Sequence, residues 1–199
     1  MPEIHVWSDY VCPFCLIADE LIERAIGDRT DVEVVHHPHE LRPYPTPTLR
    51  PEDAYLPRIW RQAVLPMAGR YEVPMRLPSI SPQPYTALAF RGATYAQDQN
   101  VGHAYHRRML TAFFREDLDI GSATVLSELA EQVGLDRTDF LAALDDESRA
   151  RQHTEALAAS ARLDITVVPT MIIGDRRIEG VASEAVLRQA LDQAVERAA

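Results

Sequence analysis

The sequence predicts an α/β fold whose single sheet is built from both ends of the chain, with a large all-helical insertion between them. Three observations predict it. The opening segment reads β-α-β, the stretch from Tyr85 to Asp145 reads as helix after helix, and the chain closes β-β-α. At 199 residues, 46 % of them apolar, the chain is long enough for one sizeable core and short for two independent domains.

In chain order, Ile4 and Val6 alternate with polar neighbours and suit a first strand ending near Ser8. Leu16 to Ile26 reads as a helix, because Ile17, Leu21, Ala25 and Ala18, Ile22, Ile26 form two i, i+4 rows on one face. Val32, Val34 and Val35 suggest a second strand. From Leu41 onwards the chain is dense in proline, with ten between Pro43 and Pro84, so only a short helix from Glu52 to Ala63 is expected there, limited by Pro57 and Pro66. Ser122 is placed to cap a helix carrying Val125, Leu126, Leu129 and Val133, which Gly134 stops. Asp136 caps the next helix, with Leu135 and Phe140 at the positions of a hydrophobic staple, and an Ala-rich helix follows from about Ser148 to Leu163. Ile165 to Ile173 reverts to strand character, Gly174-Asp175 offers a hairpin turn, and Arg177 to Glu179 a return strand. Ser183 caps a last helix whose apolar face holds Val186, Leu187, Ala190, Leu191, Ala194 and Val195.

Composition excludes several functions. The net charge of −10 is spread along the chain and repels phosphate backbones, so no nucleic-acid partner is expected. All twenty basic residues are Arg, which rules out a Schiff-base or P-loop lysine. No apolar run approaches the roughly 20 residues that span a bilayer, so no membrane partner is expected. The N-terminus, Met1-Pro2-Glu3-Ile4-His5-Val6-Trp7, carries no basic or apolar leader and predicts a cytoplasmic protein. In that reducing compartment the two cysteines, Cys12 and Cys15, are expected to be redox-active or metal-binding instead of structural.

Cys12-Pro13-Phe14-Cys15 stands at the start of the first predicted helix. Unpaired backbone N–H groups and the macrodipole of a first turn favour negative charge there, so Cys12 is the expected attacking thiolate. Pro13 fits the first helical position, where a missing N–H costs little, and Cys15 is close enough to resolve a mixed disulfide on Cys12. The competing reading is half a zinc site completed by His36, His37 and His39, but a second Cys pair or correctly spaced His pair is missing, and no metal site is predicted. The other marked segment is Thr166-Val167-Val168-Pro169-Thr170-Met171, where a proline interrupts an apparent buried strand; a strand start and a cis bond both remain open on this segment alone.

Together, Cys12-Pro13-Phe14-Cys15 and Val168-Pro169-Thr170 resemble the DsbA family of thiol–disulfide oxidoreductases, and more closely its FrnE-type cytosolic branch. Asp9-Tyr10-Val11, His39-Glu40-Leu41-Arg42-Pro43, Asp119-Ile120-Gly121 and Gly180-Val181 add to the likeness, which covers nearly the whole chain. The resemblance implies a thioredoxin-like fold interrupted by a helical insertion, with residues 1–48 and 160–199 forming the thioredoxin-like part and residues 49–159 the insertion. It implies catalysis by Cys12 and Cys15, substrate contacts at Pro13, Phe14, Val168 and a cis Pro169, and no permanently bound cofactor. Protein thiols and disulfides, or glutathione or another thiol, are the implied partners. Phe14 departs from the strongly oxidising periplasmic members, which carry a His there. The rival is a glutathione-dependent isomerase or transferase of the kappa or hydroxychromene-carboxylate type acting on a small aromatic or polyketide-like substrate; these usually carry Ser in place of the first cysteine. Three further readings bear on the site. Trp7 is expected in the core or a cleft wall, His103 and His106 on a solvated helix face, and Asp9, outside the catalytic set, either to tune Cys12 or to cap a turn.

Overall fold

A computed structural model describes residues 2–198. Its sheet runs in the order β2-β1-β3-β4. β1 (Glu3–Ser8) is central, parallel to β2 (Glu33–Pro38) and antiparallel to β3 (Thr170–Ile173); β4 (Arg176–Glu179) pairs antiparallel with β3. Two parallel neighbours need a crossover, and α1 (Pro13–Ile26) supplies it. The β1–β3 register sets Trp7 opposite Thr170, which delivers the segment preceding Thr170 to the carboxyl end of β1, just where the Cys motif begins. The strand predicted over Ile165 to Ile173 is therefore shorter than expected. Residues 165 and 166 are irregular, 167–169 bend, and pairing starts only at Thr170, since Pro169 has no N–H to give a ladder.

α1 begins with Pro13 at its first position and ends at Gly27, whose φ of +56° favours glycine. Its predicted apolar rows are buried at Ile17, Ala18, Leu21, Ile22 and Ala25. They pack against α9 (Glu184–Ala198), which buries Leu187, Ala190, Leu191 and Ala194.

The insertion departs from expectation at its start. Instead of a helix over Glu52–Ala63, α2 (Tyr55–Ile59) passes into a π-helical turn (Trp60–Val64) and on into α3 (Leu65–Arg70). Pro57 lies in the first turn, where its N–H would have no partner anyway, and Pro66 follows the π turn, whose wider winding absorbs a proline that would break a regular helix. Then come α4 (Ala87–Asp98), α5 (Gly102–Phe114), α6 (Ala123–Gln132), α7 (Arg137–Asp145) and α8 (Glu147–Arg162). Asp136 caps α7 by accepting from the N–H groups of Thr138 and Asp139 at 2.8 and 2.9 Å. Ser122 holds the cap position of α6, but its side chain makes no capping hydrogen bond. Tyr105, Phe113, Phe114 and Phe140 are fully buried. Gly92 lets α4 approach them: a Cβ there would collide with the Tyr105 hydroxyl and lie 2.7 Å from the Phe140 ring. No helix among the described residues is long and apolar enough to cross a membrane.

Candidate active site

Cys12 is the N-cap of α1, with extended backbone (φ −90°, ψ 112°), and Cys15 lies inside the first turn, its N–H donating to the Cys12 carbonyl at 3.0 Å. Both are free thiols, and both are buried. The Cys12 side chain makes no hydrogen bond to the helix N–H groups. Instead its thiol donates to the Val168 carbonyl at 3.6 Å, a contact between residues 156 apart in sequence. Val168–Pro169 is cis, as are Tyr44–Pro45 and Ser81–Pro82. Pro169 is buried, and its carbonyl accepts from the Gly180 N–H at 2.8 Å, so the bend is tied to the end of β4. Pro13, Phe14 and Val168 are half-buried, and Val167 beside them is exposed. Cys15 is hard to ionise. Burial, then the Cys12 side chain and charge, push its pKa well above the ordinary thiol value, and the charge of Asp9 adds to this.

Asp9, expected either to tune Cys12 or to cap a turn, stands beside the cysteines, its backbone carbonyl accepting from the Cys12 N–H at 3.0 Å. It is buried, 1 % exposed, and burial raises its pKa to about 6 against hydrogen bonds from the Leu41 N–H (2.8 Å) and from the Thr86 side chain. A cavity of about 60 Å³ adjoins it, lined in part by Leu41, Leu49 and Thr86. No basic side chain among the described residues hydrogen-bonds or ion-pairs with Asp9, Cys12 or Cys15. The side chain of the adjoining Glu40 is buried and pairs with His153 of α8 at 2.6 Å, which anchors the chain leaving β2. The sequence signal for Asp9 is its place between the first strand and the Cys motif, flanked by the apolar Trp7, Tyr10 and Val11.

Trp7 is buried, and its ring stacks on His37 at 4.5 Å. His36 and His37 alternate across β2 and go to different partners, His37 to His5 (3.0 Å) and His36 to His103 (2.9 Å). The expectation that His103 and His106 lie on a solvated helix face fails at His106, which is 2 % exposed and stacked on His36 at 3.7 Å. His106 precedes the buried Met109, Leu110 and Phe113 by three, four and seven residues, so the core-facing stripe of α5 takes it inward.

Residues 3–192 match the DSBA-like thioredoxin domain family. YwbO of Bacillus subtilis (strain 168), an uncharacterized protein, is 44 % identical over 190 residues, which is 94 % of either chain. Among solved structures, a probable DsbA oxidoreductase, SCO1869, from Streptomyces coelicolor shares the fold with a TM-score of 0.79, at 22 % identity over 98 % of this chain and 91 % of that one. The cytosolic disulfide reductase DsbM from Pseudomonas aeruginosa, solved with GSH, shares it with a TM-score of 0.71, at 20 % identity over 98 % and 97 %. With a β-α-β start, a helical insertion, a β-β-α close and a Cys-x-x-Cys pair at the mouth of α1, this chain belongs to the DSBA-like thioredoxin domain family.

Proposed function

We propose that the protein is a cytoplasmic thiol–disulfide oxidoreductase in which Cys12 attacks and Cys15 resolves. The observation that carries this reading is the meeting of the two sequence motifs, the Cys12 thiol lying on the Val168 carbonyl beside Pro169. The Cys12 thiolate attacks one sulfur of a substrate disulfide, a Cys12–substrate disulfide forms, and the departing thiolate takes up a proton. Cys15 then loses its proton and attacks the Cys12 sulfur. The second substrate thiol leaves, and two electrons have passed from the Cys pair to the substrate. Two glutathione molecules, oxidised to their disulfide, return the pair to dithiol; the GSH in the DsbM structure supports this choice of thiol. Cys15 holds its proton at neutral pH through burial, which keeps the two sulfurs in different roles.

Pro13, Phe14, Val168 and Pro169 form the substrate-contacting rim in this proposal. Sheet pairing starts at Thr170, and the carbonyls of Val167 and Val168 accept only from the Thr170 hydroxyl and the Cys12 thiol, so this backbone can take an extended segment by strand addition, with the exposed Val167 giving apolar contact.

Reduction of insulin disulfides with glutathione as electron donor tests the assignment. Wild type should turn over, Cys12→Ser should not, and Cys15→Ser should accumulate mixed disulfides on Cys12. Equal trapping by both single variants would overturn the division of roles. Conjugation of glutathione to an aromatic electrophile, with no insulin turnover, would assign the protein to the isomerase or transferase class instead.

A further inference from the structure

A second polar cluster lies away from the cysteines, where α1, β2 and α5 meet. Asp19 of α1, His36 of β2 and His106 of α5 each present one donor atom, and the three lie within 4.8 Å of one another. Asp19 and His106 are buried, and the Nδ1 atoms of His36 and His106 are buried without any hydrogen-bond partner. Leaving such a nitrogen unpaired costs roughly 1–3 kcal/mol, so two together in one place call for an explanation. We propose that Asp19, His36 and His106 bind one divalent transition-metal ion of the zinc class.

The surroundings suit an ion. His36 Nε2 lies 2.9 Å from His103 Nδ1, and His103 Nε2 lies 3.2 Å from Glu23 Oε1. In the order Glu23 accepting from His103, and His103 accepting from His36, the His36 Nε2 carries the proton and its Nδ1 lone pair is left for a ligand bond. That carboxylate–histidine support is the usual outer layer of a metal-bound imidazole. Arg107 holds Asp19 through Oδ2 at 3.1 Å, which leaves Oδ1, 3.9 Å from His106 Nε2, to face the histidines. Around the site the carboxylates of Asp19, Glu20 and Glu23 meet the guanidinium groups of Arg107 and Arg115, and Glu23 also pairs with His103. A cavity of about 370 Å³ lined by His36, His103 and His106 gives entry and room for a water as fourth ligand.

Binding requires a local adjustment. The His36 and His106 rings are stacked 14° from parallel, so their in-plane lone pairs run side by side. Metal–nitrogen bonds of about 2.0–2.1 Å set tetrahedral donors about 3.3 Å apart. The His106 ring must turn towards Asp19 and the three donors close on each other. Two imidazoles and one carboxylate with an open position match the donor set of zinc and its neighbours better than that of calcium or magnesium.

The test uses the full chain with Cys12→Ser and Cys15→Ser, so that thiols cannot bind the metal. Equilibrium dialysis against Zn²⁺, read by elemental analysis, should give one zinc per chain. His36→Gln and His106→Gln should each weaken binding at least tenfold, and His103→Gln, which removes only the outer support, about tenfold. Absence of stoichiometric zinc, or zinc binding unchanged in both ligand variants, would overturn the proposal. Should a variant fail to fold, side-chain ¹⁵N spectra of the Cys-to-Ser chain decide it: Zn²⁺ should move the His36 and His106 ring nitrogens. Movement confined to His5 and His37, the other close imidazole pair, would refute it.

Discussion

Buried ionisable groups stand at two places along α1, and the two differ in what stands against burial. At its N-terminal end stand Asp9, Cys12 and Cys15, held by backbone N–H and carbonyl groups, with no basic side chain bonded to any of them. Further along, Asp19, Glu20 and Glu23 meet Arg107 and Arg115 of α5 and its C-terminal end, in ion pairs of 2.8–3.3 Å. In the second region charge is largely answered by charge. In the first, burial is opposed only by hydrogen bonds, and it lifts the Asp9 carboxyl to about 6 and the Cys15 thiol well above its ordinary value; burial lifts Asp19 to about 6 as well, against the pull of Arg107, so the regions differ in what opposes burial and not in how far the carboxyl is shifted. The ion pairs fasten α5 onto α1, whereas at the cysteines no bonded cation stands against the charge that forms when a thiol ionises.

The largest break in that comparison is to strip compensation from the second region. Arg107→Met keeps much of the apolar stem but leaves Asp19 buried without its cation. Breaking a buried pair on one side costs about 3–5 kcal/mol, and because Arg107 is itself 37 % exposed, screening brings the expected loss to about 3 kcal/mol. Urea unfolding measures it. Adding Asp19→Asn should restore most of the stability, and a single-variant loss below about 0.5 kcal/mol would show that Asp19 does not depend on its partner.

The same contrast explains what the sequence made legible. Cys12, Pro13 and Cys15 fall within one helical turn, so their chemistry is written in local spacing. The helix rows of α1 and α9, the Asp136 cap and the Gly174 hairpin are local as well. Val168 reaches Cys12 only because β3 pairs with β1, a long-range contact that motif resemblance suggested and spacing alone did not. The histidine cluster joins β2 to α5 across 67 residues from His36 to His103, and nothing in either segment announces the other. Where prolines crowd, the helix limits set by Pro57 and Pro66 were misplaced, because a π turn lets the chain continue past a residue that stops a regular helix.

A smaller effect is expected from removing the uncompensated charge. Asp9 titrates at about 6 in the folded chain against about 3.9 when unfolded, so the folded state holds its proton longer. Stability from this group therefore falls as pH rises from about 4 to about 6, and the penalty is fully present above that range. Asp9→Asn keeps an oxygen for the Leu41 N–H and should stabilise the protein by about 2 kcal/mol at pH 7.5, with no gain below about pH 4. Denaturation midpoints across that window check both the size and the sign. The Cys15 thiol should ionise at lower pH in this variant, since the Asp9 charge is one of the things that raise it, and alkylation rates at Cys15 against pH would reveal a failure to move.

The smallest expected change comes from adding compensation where it is missing. Phe14 lies between the two cysteines at the mouth of α1, half-buried and neutral. A histidine at this position, when protonated, places a positive charge beside whichever sulfur carries the negative one, and that charge exists only in the reduced state. The disulfide offers no such charge, so Phe14→His favours the dithiol form and makes the pair more oxidising. A partly exposed charge interaction is worth about 1 kcal/mol, and for this two-electron couple 30 mV corresponds to about 1.4 kcal/mol, so the potential should rise by about 20 mV. Wild type, with the helix terminus but no such cation, is expected on the order of −200 mV, between the thioredoxin value near −270 mV and the DsbA value near −120 mV. Equilibration with glutathione buffers followed by a thiol-alkylation gel shift gives both potentials. A wild-type value at the DsbA end, or a substitution that leaves the potential unmoved at pH 6, where histidine is mostly charged, would mean that the missing cation does not set the poise of this site.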